Sequence, residues 1–337
     1  MNHDHPLDRR AFLRVGSVGL GAVLLGACRA STPPVAAPGS SSTSAPSPTT
    51  SAAAPVTSSA TDGLPGFDEF ASTVRVLADD ELWLVESSGI PSHNMMVGIT
   101  SWQQQVPIPQ PYSGANAWQI PARPTLAATP ISAKTSLYRG AIALAVNGVP
   151  IFNALNNRGD DAYLAGELDQ WGGHSGRADD YHYHIAPLHL QSIVGNTKPI
   201  AYALDGFPLY GTTEPDGSAV TGLDEYNGHF DAPGRYHYHG TRTYPYINGG
   251  LRGVVHVAGD QVDPQPVTRP FRPDGTALGG ATITAFKATG QDAYRLEYSL
   301  ADHTGLVEYT IEGAAVRFVF TDPTGPVRTE TYTRTGT

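Results

Sequence analysis

The sequence predicts an all-β fold, mainly antiparallel and loop-rich, with an internally duplicated unit followed by a small C-terminal β meander. Three observations carry that expectation. Long amphipathic helical stretches are absent after residue 62, and short alternating runs recur between Gly, Pro, Asn and Asp. Two stretches about 58 residues apart repeat one another. Near the end of the chain, residues 294–300, 307–311 and 316–320 alternate with period two, as strands with one apolar face do.

The N-terminus reads as an address rather than as structure. Arg9 and Arg10, followed by Ala11, Phe12 and Leu13, fit a twin-arginine export pattern. The uncharged run 15–27 suits a signal-peptide core but is shorter than the roughly 20 apolar residues of a spanning helix. Leu25-Gly26-Ala27-Cys28 fits a lipobox, so residues 1–28 are expected to be a lipoprotein signal peptide acylated at Cys28. An uncleaved anchor, or cleavage elsewhere, is the competing reading. Residues 29–62 are Ser, Thr, Ala and Pro with almost no large apolar side chain, the composition of a disordered tether. The expected location is extracytoplasmic, with the membrane as partner through the lipid.

Composition narrows the chemistry. Cys28 is the only cysteine, so a metal site would be built from nitrogen and oxygen donors. The formal net charge is -10, and Lys134, Lys198 and Lys287 are the only lysines. An acidic chain without a basic run is a poor partner for nucleic acid, whose binding rests on phosphate neutralisation.

The duplication runs from about 140 to 240, with copies at 140–184 and 198–239. Residues 142–152 align with 200–210, each a strand, an Asn147-Gly148 or Asp205-Gly206 turn, and a second strand. Those dipeptides predict two-residue hairpins with positive φ at both turn positions. Residues 168–184 align with 223–239, with eight of seventeen positions identical, and one three-residue gap reconciles the two offsets. An approximate two-fold relation between the copies is expected.

At these residues the chain resembles the YHYH-domain family, named for Tyr181-His182-Tyr183-His184 and its repeat Tyr236-His237-Tyr238-His239. The likeness takes in Ser88-Gly89-Ile90-Pro91-Ser92-His93, both turns, Gly173-His174 and Tyr244-Pro245-Tyr246-Ile247, over about 75–257. It implies an exported, β-rich domain and brings no reaction with it.

Residues i and i+2 of a strand share a face, with Cβ atoms about 7 Å apart. His182 with His184, and His237 with His239, therefore form two pincers, and the tyrosines face the other way. His174 and His229 lie upstream at matching positions, each after a glycine that lets the loop turn. Each copy offers three imidazoles, the number that open metal sites commonly use. Asp169 and Asp224 are expected to orient an imidazole from behind, and His93 is a reserve ligand. His189 and His256 flank the repeats, and His303 reads as a solvated loop residue. Copper or zinc is the favoured ion for imidazole ligands outside the cytoplasm.

The competing readings give these histidines a hydrogen-bonding role in a surface recognition module, or make the site that of a metal-dependent oxidoreductase or hydrolase. No Ser-His-Asp elbow, phosphate loop, dinucleotide fingerprint or HExxH helix decides among them. The chain is expected to divide into the YHYH domain at 63–261, a Pro- and Gly-rich linker at 262–280 and the C-terminal β region at 281–337.

Overall fold

The computed structural model describes residues 63–334. The expected signal peptide with Arg9, Arg10 and Cys28, and the expected tether at 29–62, lie outside the described residues. The described residues are nearly all β, with 38% strand and 5% helix. No helix among the described residues is long and apolar enough to cross a membrane.

A three-stranded sheet comes first, made of β1 (Arg75–Asp79), β2 (Leu82–Glu86) and β3 (Trp118–Pro121) in that order. The next strand, β4 (Leu126–Ser132), pairs outside it. An eight-stranded sheet follows: β5 (Ala141–Ala145), β6 (Pro150–Phe152), β7 (Gly173–Ser175), β8 (Tyr181–Tyr183), β9 (Ala201–Ala203), β10 (Pro208–Tyr210), β11 (Gly228–Phe230) and β12 (Tyr236–His239). A short strand β13 (Gly250–Gly253) pairs with β4, and a two-stranded ribbon joins β14 (Val257–Ala258) to β15 (Gln261–Val262).

The spatial order of the large sheet, β7-β8-β6-β5-β9-β10-β12-β11, is symmetric about the β5–β9 junction. Leu144 faces Tyr202, Ala143 faces Ala203 and Ala145 faces Ala201. Because Tyr202 aligns with Leu144 in the repeat, this register maps onto itself when the copies exchange, which is the signature of a two-fold relation. The parallel pairs agree, Ile151 with Tyr183 and Leu209 with Tyr238. Strand β5 is buried along its whole length. It therefore reads as an unbroken apolar run rather than an alternating one, as strands covered on both faces do.

The hairpins differ from the sequence expectation. The Ala145 N–H bonds to the Val149 carbonyl at 3.0 Å and the Gly148 N–H to the Ala145 carbonyl at 2.8 Å; residues 203–207 repeat this at 3.0 and 2.9 Å. These are three-residue loops with positive φ at Gly148 and Gly206 alone, 80° and 91°. Only a single left-handed position is needed once the loop carries a third residue, so Asn147 and Asp205 keep ordinary backbone geometry.

The chain ends in an antiparallel meander of β16 (Thr282–Gly290), β17 (Ala293–Leu300), β18 (His303–Glu312), β19 (Ala315–Thr321) and β20 (Val327–Thr333), paired in sequence order. Its inward face is an aromatic ladder of Phe286, Tyr294, Tyr309, Phe318 and Phe320, with successive ring centroids 5.1 to 5.9 Å apart. Gly98 donates to the Ile283 carbonyl at 2.9 Å, and Ile283 to that of Ile99 at 3.1 Å, tying the meander to the loop before the duplicated unit. In the Pro-rich connection, Arg272 grips buried Asp179 through Nε and Nη2, each at 2.6 Å. Its guanidinium lies 4.8 Å over Phe318. That connection is thus pinned to both sides.

Candidate metal centres

Backbone register brings the imidazoles together. In copy 1, His174 on β7 is the direct cross-strand partner of His182 on β8, and His184 stands two residues further on the same face. In copy 2, His229 on β11 opposes His237 on β12, with His239 beyond it. The six predicted histidines fall into two triads, His174, His182 and His184, and His229, His237 and His239. Five inter-strand steps separate β8 from β12, about 24 Å along the sheet.

Within each triad the Nε2 atoms converge. His184 Nε2 is 3.1 Å from His174 Nε2 and 3.2 Å from His182 Nε2, and His229 Nε2 is 3.0 Å from His237 Nε2. Four of the six Nδ1 atoms, those of His182, His184, His229 and His239, point outward to backbone carbonyls. His182 reaches Asp180 O at 2.9 Å, His184 reaches Asn153 O at 2.5 Å, His229 reaches Thr221 O at 2.9 Å and His239 reaches Gly211 O at 2.9 Å. A carbonyl only accepts, so each of these Nδ1 atoms must carry the proton. A neutral imidazole has one proton, which leaves the Nε2 lone pair aimed into the cluster. Burial and the neighbouring imidazole hold His184 down at about 3, and burial holds His174 well below the usual histidine value. His237 and His239 are also lowered, chiefly by burial.

The triads differ in their fourth partner. Glu214 places its carboxylate 3.1 Å from His229 Nε2, 3.3 Å from His237 Nε2 and 3.4 Å from His239 Nε2. The 3.4 Å approach lacks hydrogen-bonding geometry, so His239 Nε2 is buried without a partner. Glu214 is a residue that sequence reasoning missed. The available signal was the turn 213–217 aligning with 155–159, where a carboxylate replaces Asn156 in one copy only.

Asp169 and Asp224 do not orient imidazoles, contrary to expectation. Asp169 accepts from the Tyr181 hydroxyl and the Met96 N–H, each at 2.7 Å, and from the N–H groups of Trp171 and Gly173. Asp224 accepts from Tyr226 and Gly228 N–H and from the Tyr236 hydroxyl. Both cap the turn before the first triad histidine, where successive N–H groups would otherwise be unpaired. They anchor the tyrosines on the opposite face of the strand.

The glycine before each of these histidines has a packing reason rather than a turning one. A Cβ on Gly173 would sit 2.6 Å from the Tyr181 hydroxyl, and one on Gly228 2.1 Å from that of Tyr236. The left-handed position lies one residue earlier, at Gly172 and Asn227.

His93, the reserve ligand, belongs to neither triad. Its Nε2 lies 2.7 Å from the Tyr183 hydroxyl and its ring stacks on Trp171 at 4.8 Å. His189 packs edge-on against Trp171 and His93. His256 faces Asp263 at the surface, and His303 opens β18 with its side chain exposed.

A protein-family model described as "YHYH protein" matches residues 117–220, which span copy 1 and the start of copy 2, including Glu214. No curated protein and no solved structure matches the chain.

Proposed function

We propose that this chain is a metal-binding protein of the cell envelope that holds two copper or zinc ions, one in each histidine triad. The observation that carries the reading is the convergence of Nε2 lone pairs whose tautomers are set by outward carbonyl contacts. Two such lone pairs in each triad, with the Nε2 of His174 or His237 beside them, repel one another unless a cation or a proton lies between them. Nitrogens bound at 2.0–2.1 Å around a tetrahedral ion stand about 3.3 Å apart, close to the 3.0–3.2 Å separations here. A hydrogen-bond network accounts for them less well. At copy 1, where no carboxylate joins the triad, one proton can bridge two Nε2 atoms and leaves the third unsatisfied, and the burial that lowers His184 disfavours charging it.

Elemental analysis of the chain, folded in its native compartment, is expected to find two equivalents of metal. His182→Ala/His184→Ala and His237→Ala/His239→Ala should each retain one. Absence of stoichiometric metal, together with unchanged stability of both variants, would overturn the reading.

The export pattern at Arg9 and Arg10 and the lipobox at Cys28 support a lipid-anchored protein outside the cytoplasm. Cys28→Ser is expected to abolish fatty-acid labelling and to release the chain from membranes; labelling that persists in the variant would contradict this.

A further inference from the structure

Resting on the two-ion reading, we infer that the two centres have diverged: the copy 2 ion is saturated by protein, and the copy 1 ion keeps a position for an exogenous small donor such as water, hydroxide or a small anion.

The two turns that would supply a fourth ligand are built alike. Glu214 donates its N–H to the Ser218 carbonyl and accepts from Gly217; Asn156 donates to the Asp160 carbonyl and accepts from Gly159. The side chains are used differently. Glu214 reaches all three imidazoles. Asn156 is buried with both ends of its amide committed elsewhere. Its Oδ1 accepts from the N–H groups of Arg158 at 2.9 Å and Asp160 at 3.0 Å, and its Nδ2 donates to Glu167 Oε1 at 3.2 Å. Glu167 is itself engaged by Arg158. Among the described residues, the ligand-type groups gathered at copy 1 are therefore the three histidines alone.

Three protein ligands on a four-coordinate ion leave one position open, whereas four close it. Charge acts in the same direction. A divalent ion held by three neutral imidazoles keeps its full charge, and a carboxylate halves it. The copy 1 ion is the stronger attractor of an anion and the stronger acidifier of a bound water. His174 is the partly exposed member of its triad. Copy 1 is the reactive, exchanging centre and copy 2 the holding one.

The test loads the full chain with two equivalents of cobalt(II) and titrates it with azide, following the visible absorption bands of the metal. One azide per chain is expected. Asn156→Glu should reduce this to none, and Glu214→Gln should raise it to two, while both variants still bind two cobalt ions. Two azides or none in the unaltered chain, or variants that leave the number unchanged, would overturn the inference. Failure to bind cobalt at all, seen before azide is added, would overturn the two-ion reading beneath it. Circular dichroism of each variant separates misfolding from altered coordination, and the paired substitutions shift the azide count in opposite directions.

Discussion

Copy 1 and copy 2 of the duplicated unit share strand order, register and three imidazoles, yet each is braced by different neighbours. Tyr183 shares its hydroxyl with His93 and with the amide of Asn147, at 2.7 and 3.0 Å. Its counterpart Tyr238 donates to the buried carboxylate of Asp205 at 2.6 Å and accepts from the Arg252 N–H. Gly172 occupies the left-handed position of one turn and Asn227 that of the other. What the backbone demands has been copied unchanged. What a side chain can supply, including the fourth group at each triad, has drifted.

Metal removal should break the symmetry most strongly. An ion present at about 1,000 times its dissociation constant adds about 4 kcal/mol of stability, so stripping both should lower the unfolding free energy by at least that much. A chelator is expected to take the copy 1 ion first, because it has one protein ligand fewer. Metal release followed during dialysis should show two steps; simultaneous loss would count against the divergence.

In the metal-free protein, acid should also act unevenly. His184 is held at about 3 when folded, whereas an unfolded histidine takes up its proton near 6.5. Between those values the unfolded state binds more protons, so this contribution is intact above about 6.5 and declines as pH falls towards 3. At copy 2 burial also lowers His237 and His239, and the Glu214 carboxylate opposes part of that shift. Hydrogen exchange should therefore show acid-induced opening of β7 and β8 before β11 and β12. The reverse order would contradict the electrostatic difference between the copies.

Backbone and hydroxyl substitutions sharpen the comparison on a smaller scale. Gly172 has φ 86°, and a Cβ there would meet Ile185 at 2.1 Å. Gly172→Ala should cost about 3 kcal/mol, combining left-handed strain with overpacking. Asn227→Ala should cost roughly 1–2 kcal/mol, mainly through its lost bonds to Thr241 and Ile247. Tyr238→Phe should cost about 2 kcal/mol, since it removes a donor from a buried carboxylate, and Tyr183→Phe about 1 kcal/mol. Urea denaturation measures each difference, and equal costs for the two tyrosines would show that their acceptors are equivalent.

Much of this was legible in the residues, and the limits have physical causes. Alternation told which side chains share a face, so the two pincers followed from His-x-His, whereas the cross-strand pairing that adds His174 and His229 to them is seen in the structure. The meander followed from its period-two runs. Glu214 was hidden because a repeat alignment highlights identity, and this residue matters as a departure from it. The carbonyls of Asn153 and Gly211 that set two tautomers left no trace in residue type, since every residue has a carbonyl. Asp169 and Asp224 were matched between copies for the same reason that the turns were. Their position before a Gly or Asn in left-handed geometry marks a turn cap, and residue type does not tell that their remaining oxygens face tyrosines. Likewise, His93 lies 90 residues from Tyr183 in sequence, and no local pattern announces that contact.

The most direct measurement is anomalous diffraction from crystals of the natively loaded chain, recorded at the absorption edge of the metal found in it. Two peaks are expected, each about 2.0–2.1 Å from three Nε2 atoms, with Glu214 Oε beside the copy 2 peak and a non-protein donor beside the copy 1 peak. Absence of a peak between the imidazoles of either triad would contradict the central claim.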